Sequence, residues 1–126
     1  MAPYGEFDVA TGYRQSLALL GRADRPTAIF AASDMQAMGV YEAARSIDVS
    51  IPDDVSVVGY DDLQVTRWAG PPLTTVRQPL TEMAEEATRL VLRLRDEPQL
   101  KSTRLELATS LIVRGSTGAP RVTRGA

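Results

Sequence analysis

Residues 55–62, with the sequence VSVVGYDD, are a run of apolar residues that ends on two adjacent carboxylates. The valines follow one another without polar alternation, so a strand formed here must be covered on both faces. Strands of this kind are typical of parallel α/β sheets, in which ligands bind beyond the carboxyl ends of the strands. The segment therefore predicts an α/β fold in which Asp61 and Asp62 meet a small polar ligand.

The composition excludes several kinds of chemistry. The chain has no cysteine and no histidine, which excludes disulfides, Cys/His zinc sites, thiol chemistry and a Ser-His-Asp triad. Lys101 is its single lysine and follows Leu100 rather than a glycine, so the chain has no Gly-Lys-Ser/Thr sequence and no phosphate-binding P-loop. Asp61 and Asp62 are neighbours in sequence, and their side chains should diverge rather than act as a catalytic pair. We therefore predict that the chain is not an enzyme and uses no cofactor or metal.

Charge and hydropathy argue against nucleic acid and membranes as binding partners. The net charge is −2 and the basic residues are scattered, which leaves no electrostatic footprint for nucleic acid. No apolar stretch is long enough to span a membrane, and no signal-peptide pattern follows Met1. The sequence predicts a cytoplasmic protein.

Periodicity predicts three helices and a sheet. A helix with Asp8 as N-cap should present Val9, Tyr13, Leu17 and Leu20 on one face and end at Gly21. A buried strand is expected at residues 27–32, a helix at about 35–46 capped by Ser33 or Asp34, a strand at 55–62, a short irregular or helical piece at 63–68, an extended piece at 74–77 and a long helix after Pro79. The alternation of Leu105, Leu107, Leu111 and Val113 with Glu106, Ser110 and Arg114 predicts a final strand. Residues 115–126 are rich in Gly, Ser, Thr, Pro and Arg, which predicts a disordered tail.

Two features of the helices concern packing. Gly39 lowers helix propensity, so we expect a close approach to a sheet or another helix at that position. The long helix carries an apolar stripe formed by Leu80, Met83, Ala84, Ala87, Leu90, Val91 and Leu94.

Three segments, taken in order, resemble the lactose-repressor (LacI/GalR) family of transcriptional regulators. They are AIFAASDMQAMG (28–39), IPDDVSVVGYDD (51–62) and PPLTTVRQP (71–79), and ELATSLIVRGST (106–117) follows them. The resemblance covers residues 5–117. It implies a three-layer parallel or mixed sheet that forms part of a type I periplasmic-binding-protein-like domain. Residues 1–76 would belong to the C-terminal lobe of the effector-binding core, and 77–114 to a crossover helix and final strand.

The resemblance implies an effector site made by Phe7, Ser33, Asp61 and Gln78. Asp61 would accept hydrogen bonds from ligand hydroxyls or ring nitrogens, Phe7 would stack on the ligand ring, and Gln78 would lie where the chain crosses between lobes. Three of these residues also have a structural alternative: a turn or cap carboxylate for Asp61, a core phenylalanine for Phe7 and a simple N-cap for Ser33. Ser33 replaces the usual asparagine of the family, which weakens the case for a grip on two neighbouring sugar hydroxyls. Asp62 and Asp34 are expected to be caps.

The resemblance also implies partners. Met35, Met38 and Trp68 would lie at a dimer interface, although Met38 could equally be core. The family carries a helix-turn-helix that binds operator DNA and an N-terminal lobe that covers the apolar stripe, and neither is found among these residues. We therefore expect a second copy to cover the stripe, through a dimer that exchanges the helix or the final strand. We also expect weak binding of a sugar-like or nucleoside-like effector. The alternative is part of a solute-binding protein for sugar transport, which has the same fold but predicts an export signal.

Overall fold

A computed structural model describes residues 7–97, 99 and 104–120 of the 126-residue chain. Its elements are α1 (Val9–Leu20), β1 (Ala28–Phe30), α2 (Asp34–Ser46), β2 (Ser56–Asp61), a 3-10 helix at Gln64–Arg67, β3 (Thr74–Arg77), α3 (Leu80–Asp96) and β4 (Ser110–Ile112). The α/β class is confirmed, and all elements except the last strand lie within one or two residues of their predicted bounds. The lead-in at residues 1–6 lies outside the described residues.

The strands form one mixed sheet in the order β1-β2-β3-β4. The pairs β1–β2 and β2–β3 are parallel, and the pair β3–β4 is antiparallel. The register places Phe30 beside Val58, and Asp61 beside Arg77. The first three strands therefore end at the same edge of the sheet, and the residues that follow them are brought together there.

Helices α1 and α2 cross at two glycines. A Cβ atom at Gly12 would overlap the backbone oxygen of Gln36, and one at Gly39 would overlap the backbone oxygen of Val9. The close approach predicted for Gly39 is thus confirmed. The buried residues of α1 are Thr11, Gly12, Ser16 and Leu20. Of the predicted face only Leu20 is fully buried, because contact at Gly12 turns the small residues of α1 toward α2.

The described residues cover one face of the sheet. On that face Val57 and Gly59 are buried beneath α2. On the opposite face Phe30 is 65% exposed and Leu111 is 60% exposed. The β2 residues on that face, Val58 and Tyr60, are half-buried, so the expectation that β2 is covered on both faces is met only in part within the described part of the chain. None of the helices described here is long and apolar enough to cross a membrane.

The end of the chain differs most from expectation. Only Ser110–Ile112 pair as a strand, and Leu105, Leu111 and Val113 are exposed, so the predicted apolar face points outward. The prediction of a disordered tail that begins at residue 115 is wrong for residues 115–118. Ser116 is fully buried and its Oγ donates to the Val57 oxygen at 2.6 Å, while its own oxygen accepts from Val57 N at 2.8 Å. Residues 121–126 lie outside the described part.

Helix α3 begins directly after Pro79, as predicted, and none of its residues is buried. The large side chains of its stripe include Leu80, Met83, Val91 and Leu94, which are all exposed. An open groove of about 760 Å³ separates α3 from residues 104–109. Nothing in the described chain therefore covers the apolar stripe.

Candidate functional site

The carboxyl edge of the parallel strands carries most of the predicted site. Asp61 ends β2, and Gln78 directly follows β3. The Gln78 side-chain amide donates from Nε2 to Asp61 Oδ1 at 2.7 Å. Because an amide also carries an acceptor oxygen and a carboxylate has several lone pairs, this pair offers donors and acceptors to a polyhydroxy ligand. The structure thus brings together two of the four residues predicted to bind an effector.

The backbone at this edge adopts an unusual conformation. Asp61 has φ 118° and Asp62 has φ 60°, both in the region that favours glycine. Each such residue costs about 1–3 kcal/mol and persists only when its surroundings hold it in place. Aspartate tolerates positive φ better than most residues, because its short side chain bonds locally. The chain therefore leaves β2 through two residues of positive φ, at the point where the sequence predicts the ligand.

Asp62 joins three segments of the chain. Its carboxylate accepts from Arg77 Nε at 2.6 Å and from Arg114 Nη2 at 2.5 Å, and its side chain is only 4% exposed. Burial raises the pKa of Asp62, but the hydrogen bonds and charges of Arg114 and Arg77 outweigh burial and hold that pKa below its usual value. The expectation that Asp62 is a cap is wrong, because both carboxylate oxygens bind guanidinium groups.

Ser33 and Asp34 have separate roles at the start of α2. Ser33 Oγ accepts from Gln36 N at 3.1 Å and is the N-cap. Asp34 is fully buried and accepts from Thr75 Oγ1 at 2.5 Å and from Leu63 N at 2.7 Å. Burial raises the pKa of Asp34, these two bonds oppose the rise, and the charges of Asp61 and Asp62 add to it. Asp34 is therefore structural, as expected, but it acts through tertiary bonds rather than as the cap.

Phe7 precedes the N-cap of α1 and is 68% exposed. Its neighbour Asp8 caps the helix by accepting from Thr11 N at 2.6 Å. The exposed ring favours a contact with a ligand or partner over a place in the core, and its stacking role stays a prediction.

The residues predicted at a dimer interface differ in accessibility. Trp68 is 75% exposed and Met35 is 38% exposed, while Met38 is half-buried and packs against the core. Trp68 and Met35 are available to a partner. Part of the Met38 side chain packs in the core, as in the structural alternative, and the rest is accessible.

Sequence reasoning did not find the groups that support the site. Arg114 donates to Thr66 Oγ1, to the Leu73 oxygen and to Asp62, and its side chain is 14% exposed. No local pattern marks such a residue, because its partners lie 41 to 52 positions away. Gly59 could have indicated the buried Asp34, since a glycine inside a strand often marks a close approach.

Comparison with known proteins agrees with this geometry. The family described as periplasmic binding protein-like domain matches residues 3–117. The ribose operon repressor of Escherichia coli K12 is 37% identical over 112 residues, which are 89% of this chain and 34% of the repressor. The chain thus spans about a third of the length of the curated relatives it matches.

Two solved structures show the same similarity. A LacI family transcriptional regulator from Enterococcus faecium with bound ribose superposes with a TM-score of 0.82 at 32% identity, over 91% of this chain and 42% of that one. The lac repressor dimer bound to operator and an anti-inducer superposes with a TM-score of 0.83 at 31% identity, over 91% and 40% of the two chains. The strand-end edge described above therefore lies in a fold that these regulators share.

Proposed function

The chain belongs to the periplasmic binding protein-like family, and we propose that it provides one wall of the effector-binding cleft of a LacI-type transcriptional regulator. The three relatives described above, which match nearly its whole length, are repressors or LacI family regulators by name. The resemblance to the LacI/GalR family is thereby confirmed. These relatives are named as repressors and regulators, not as enzymes. The same names favour a regulator over a solute-binding protein for transport.

The observation that carries the proposal is the bond between Gln78 and Asp61 at the carboxyl edge of the sheet. Ligands of open α/β sheets bind at this edge. A ligand hydroxyl would donate to the Asp61 carboxylate and accept from the Gln78 amide, and a sugar or nucleoside presents such hydroxyls. The ribose seen in the Enterococcus faecium regulator supports this chemical class.

Ser33 and Phe7 complete the proposed wall. The Ser33 oxygen accepts the capping bond from Gln36 N, so its hydroxyl hydrogen and one lone pair are left for a ligand. The exposed ring of Phe7 provides an apolar plane for the C–H face of a sugar or for a base. With Asp61 and Gln78, these residues would contact one side of an effector.

In a whole regulator, this wall would face a second lobe. An effector that binds the closed form more tightly shifts the population toward closure, and the shift changes the geometry of a dimer and its affinity for operator DNA. Met35, Met38 and Trp68 are proposed for the dimer contact, in line with the dimeric lac repressor. Operator binding would reside in a helix-turn-helix and not in these residues, and the proposal implies a cytoplasmic protein.

A titration with D-ribose, followed by NMR of the ¹⁵N-labelled chain, tests the proposal. We expect shifts at Asp61, Gln78 and Ser33, with a dissociation constant on the order of 1 mM, because one wall leaves much of the ligand in water. The variant Asp61→Asn should weaken binding at least about tenfold, since it replaces a charged acceptor.

Asp24→Asn is the matched control, because Asp24 pairs with Arg22 on the exposed surface before β1 and not at the carboxyl ends of the strands. It should leave ribose binding unchanged. A parallel titration with adenosine distinguishes a nucleoside from a free sugar. Shifts distributed over the whole surface, or submicromolar binding to this single wall, would contradict the proposed site.

A further inference from the structure

Asp34 is a buried carboxylate whose bonds hold a strained turn. It opens α2, is fully shielded from water, and accepts one bond from Thr75 Oγ1 and one from Leu63 N. A buried carboxylate is unfavourable unless both oxygens are satisfied by donors. Here the donors come from β3 and from the segment after β2, so one side chain connects three parts of the fold.

The sheet is shaped to receive this carboxylate. Gly59 and Thr75 are register partners in β2 and β3. A Cβ atom at position 59 would overlap Asp34 Oδ1, so only glycine leaves the space that the carboxylate fills. The contact is therefore built into the sheet and does not follow from helix capping, which Ser33 performs.

The bond from Leu63 N connects Asp34 to the turn formed by Asp61 and Asp62. Asp61 and Asp62 both have positive φ, and Leu63 N is the next donor along the chain. Its bond to Asp34 Oδ2 ties the residue after the turn to α2, while the Gln78 bond is made to Asp61 within the turn. Without this acceptor, the backbone of the turn would be released to relax toward ordinary φ values.

We propose that Asp34 is a positioning residue for the effector site, which holds the Asp61–Asp62 turn through Leu63 N and so directs the Asp61 carboxylate toward Gln78 and the ligand. This inference rests on the proposed function, because it assigns Asp34 a role in the same site. It differs from a purely stabilising role, since it requires an acceptor at one place and not merely a filled space.

Three variants separate the two roles. Asp34→Ala removes the acceptor, whereas Asp34→Asn keeps an oxygen for Leu63 N and leaves its amide for the Thr75 hydroxyl. Val40→Ala lowers stability through a buried side chain of the same helix and leaves the Asp34 carboxylate in place. If Asp34→Ala folds too weakly to measure, Asp34→Ser replaces it, because its side chain is too short to reach Leu63 N.

The readouts are hydrogen exchange at the Leu63 amide and the side-chain amide signals of Gln78. The Leu63 amide hydrogen should exchange at least about tenfold faster in Asp34→Ala than in Val40→Ala. Asp34→Ala should also shift the side-chain amide signals of Gln78. Asp34→Asn should restore both to within about threefold of the parent. Equal effects in Asp34→Ala and Val40→Ala, or no restoration by Asp34→Asn, would overturn the proposal.

A D-ribose titration keeps this proposal distinct from the proposed function. If the parent chain binds ribose, Asp34→Ala should weaken binding at least about tenfold and Asp34→Asn should not. If the parent shows no ribose shifts, the effector role of the site fails for ribose. The Leu63 and Gln78 readouts still decide in that case whether Asp34 positions the turn.

Discussion

Asp62 should make the stability of this protein sensitive to acid. The pKa of Asp62 in the folded state lies below the unfolded value of about 3.9. The charged carboxylate therefore stabilises the fold above about pH 3.9, and this stabilisation is lost as the pH falls from there through the folded-state pKa. Asp62→Asn should lower the free energy of unfolding by about 2 kcal/mol at pH 7, between the values for an exposed and a buried ion pair, because Arg77 is half exposed. The difference from the parent should shrink below pH 4 in urea titrations.

Asp24→Asn provides the comparison for Asp62. It removes a carboxylate paired with an arginine in full contact with water. Its urea midpoint should follow that of the parent at every pH. A constant difference between Asp62→Asn and the parent from pH 7 to pH 3 would show that the Arg77 and Arg114 contacts do not favour the charged form.

Tyr41 should give the opposite dependence, at alkaline pH. Its hydroxyl donates to the Pro71 oxygen at 2.8 Å, and burial raises its pKa to about 12. The folded state therefore binds the phenolic proton more tightly, so this stability is present below pH 10 and is lost as the pH rises from 10 toward 12. Tyr41→Phe should cost about 1 kcal/mol at pH 7 and remove this alkaline dependence from thermal unfolding scans. An unchanged alkaline profile would contradict the assignment to Tyr41.

At the same scale, sequence reasoning found the two strand-end residues that contact each other, but not the residues that support them. The apolar strand predicts Asp61 and the family resemblance implies Gln78, and the two are in contact because parallel strands end at one edge of the sheet. Asp34 and Arg114 depend on partners 29 to 52 residues away, and one sequence carries no sign of such pairs. The positive φ of Asp61 was likewise invisible, since its residue type fits ordinary turns as well.

Among the elements, the crossing of α1 and α2 is the most exacting contact. Gly39→Ala should lower the free energy of unfolding by about 2 kcal/mol, because the added methyl meets backbone atoms of α1 that cannot rotate away. This loss outweighs the gain of about 1 kcal/mol in helix propensity. Gly118→Ala is the control, since its Cβ would meet Pro52 at 3.5 Å, an ordinary contact. Denaturant unfolding of both variants checks the difference, and equal midpoints would contradict it.

Elements were predicted well where periodicity and a partner coincide. Helix α2 and strand β2 have clear caps or apolar runs, and both are in the expected places. Residues 104–109 alternate like a strand but pair with no strand among the described residues, and only Ser110–Ile112 form β4 against β3. The buried Ser116 was missed because a polar, glycine-flanked segment has the composition of a tail, while its hydrogen bonds are made to the sheet.

For the whole molecule, the uncovered stripe of α3 predicts self-association. Burying a large apolar side chain is worth about 1.5–3 kcal/mol, and the stripe exposes several of them. We expect a concentration-dependent dimer at micromolar concentration in sedimentation experiments. Leu94→Glu should weaken the dimer at least about tenfold, while Glu82→Gln on the polar face should not. A well-folded monomer at every concentration would contradict the expected second copy.

The bond between Val57 and Ser116 has a consequence for the order in which the molecule assembles. It joins residues 59 positions apart, so the chain must close a long loop before this contact forms. Helix pairing between α1 and α2 involves neighbours along the chain and can precede it. A newly made polypeptide would thus acquire its helical hairpin early, and β2 would wait for its last lateral neighbour until ribosomal synthesis has moved far downstream.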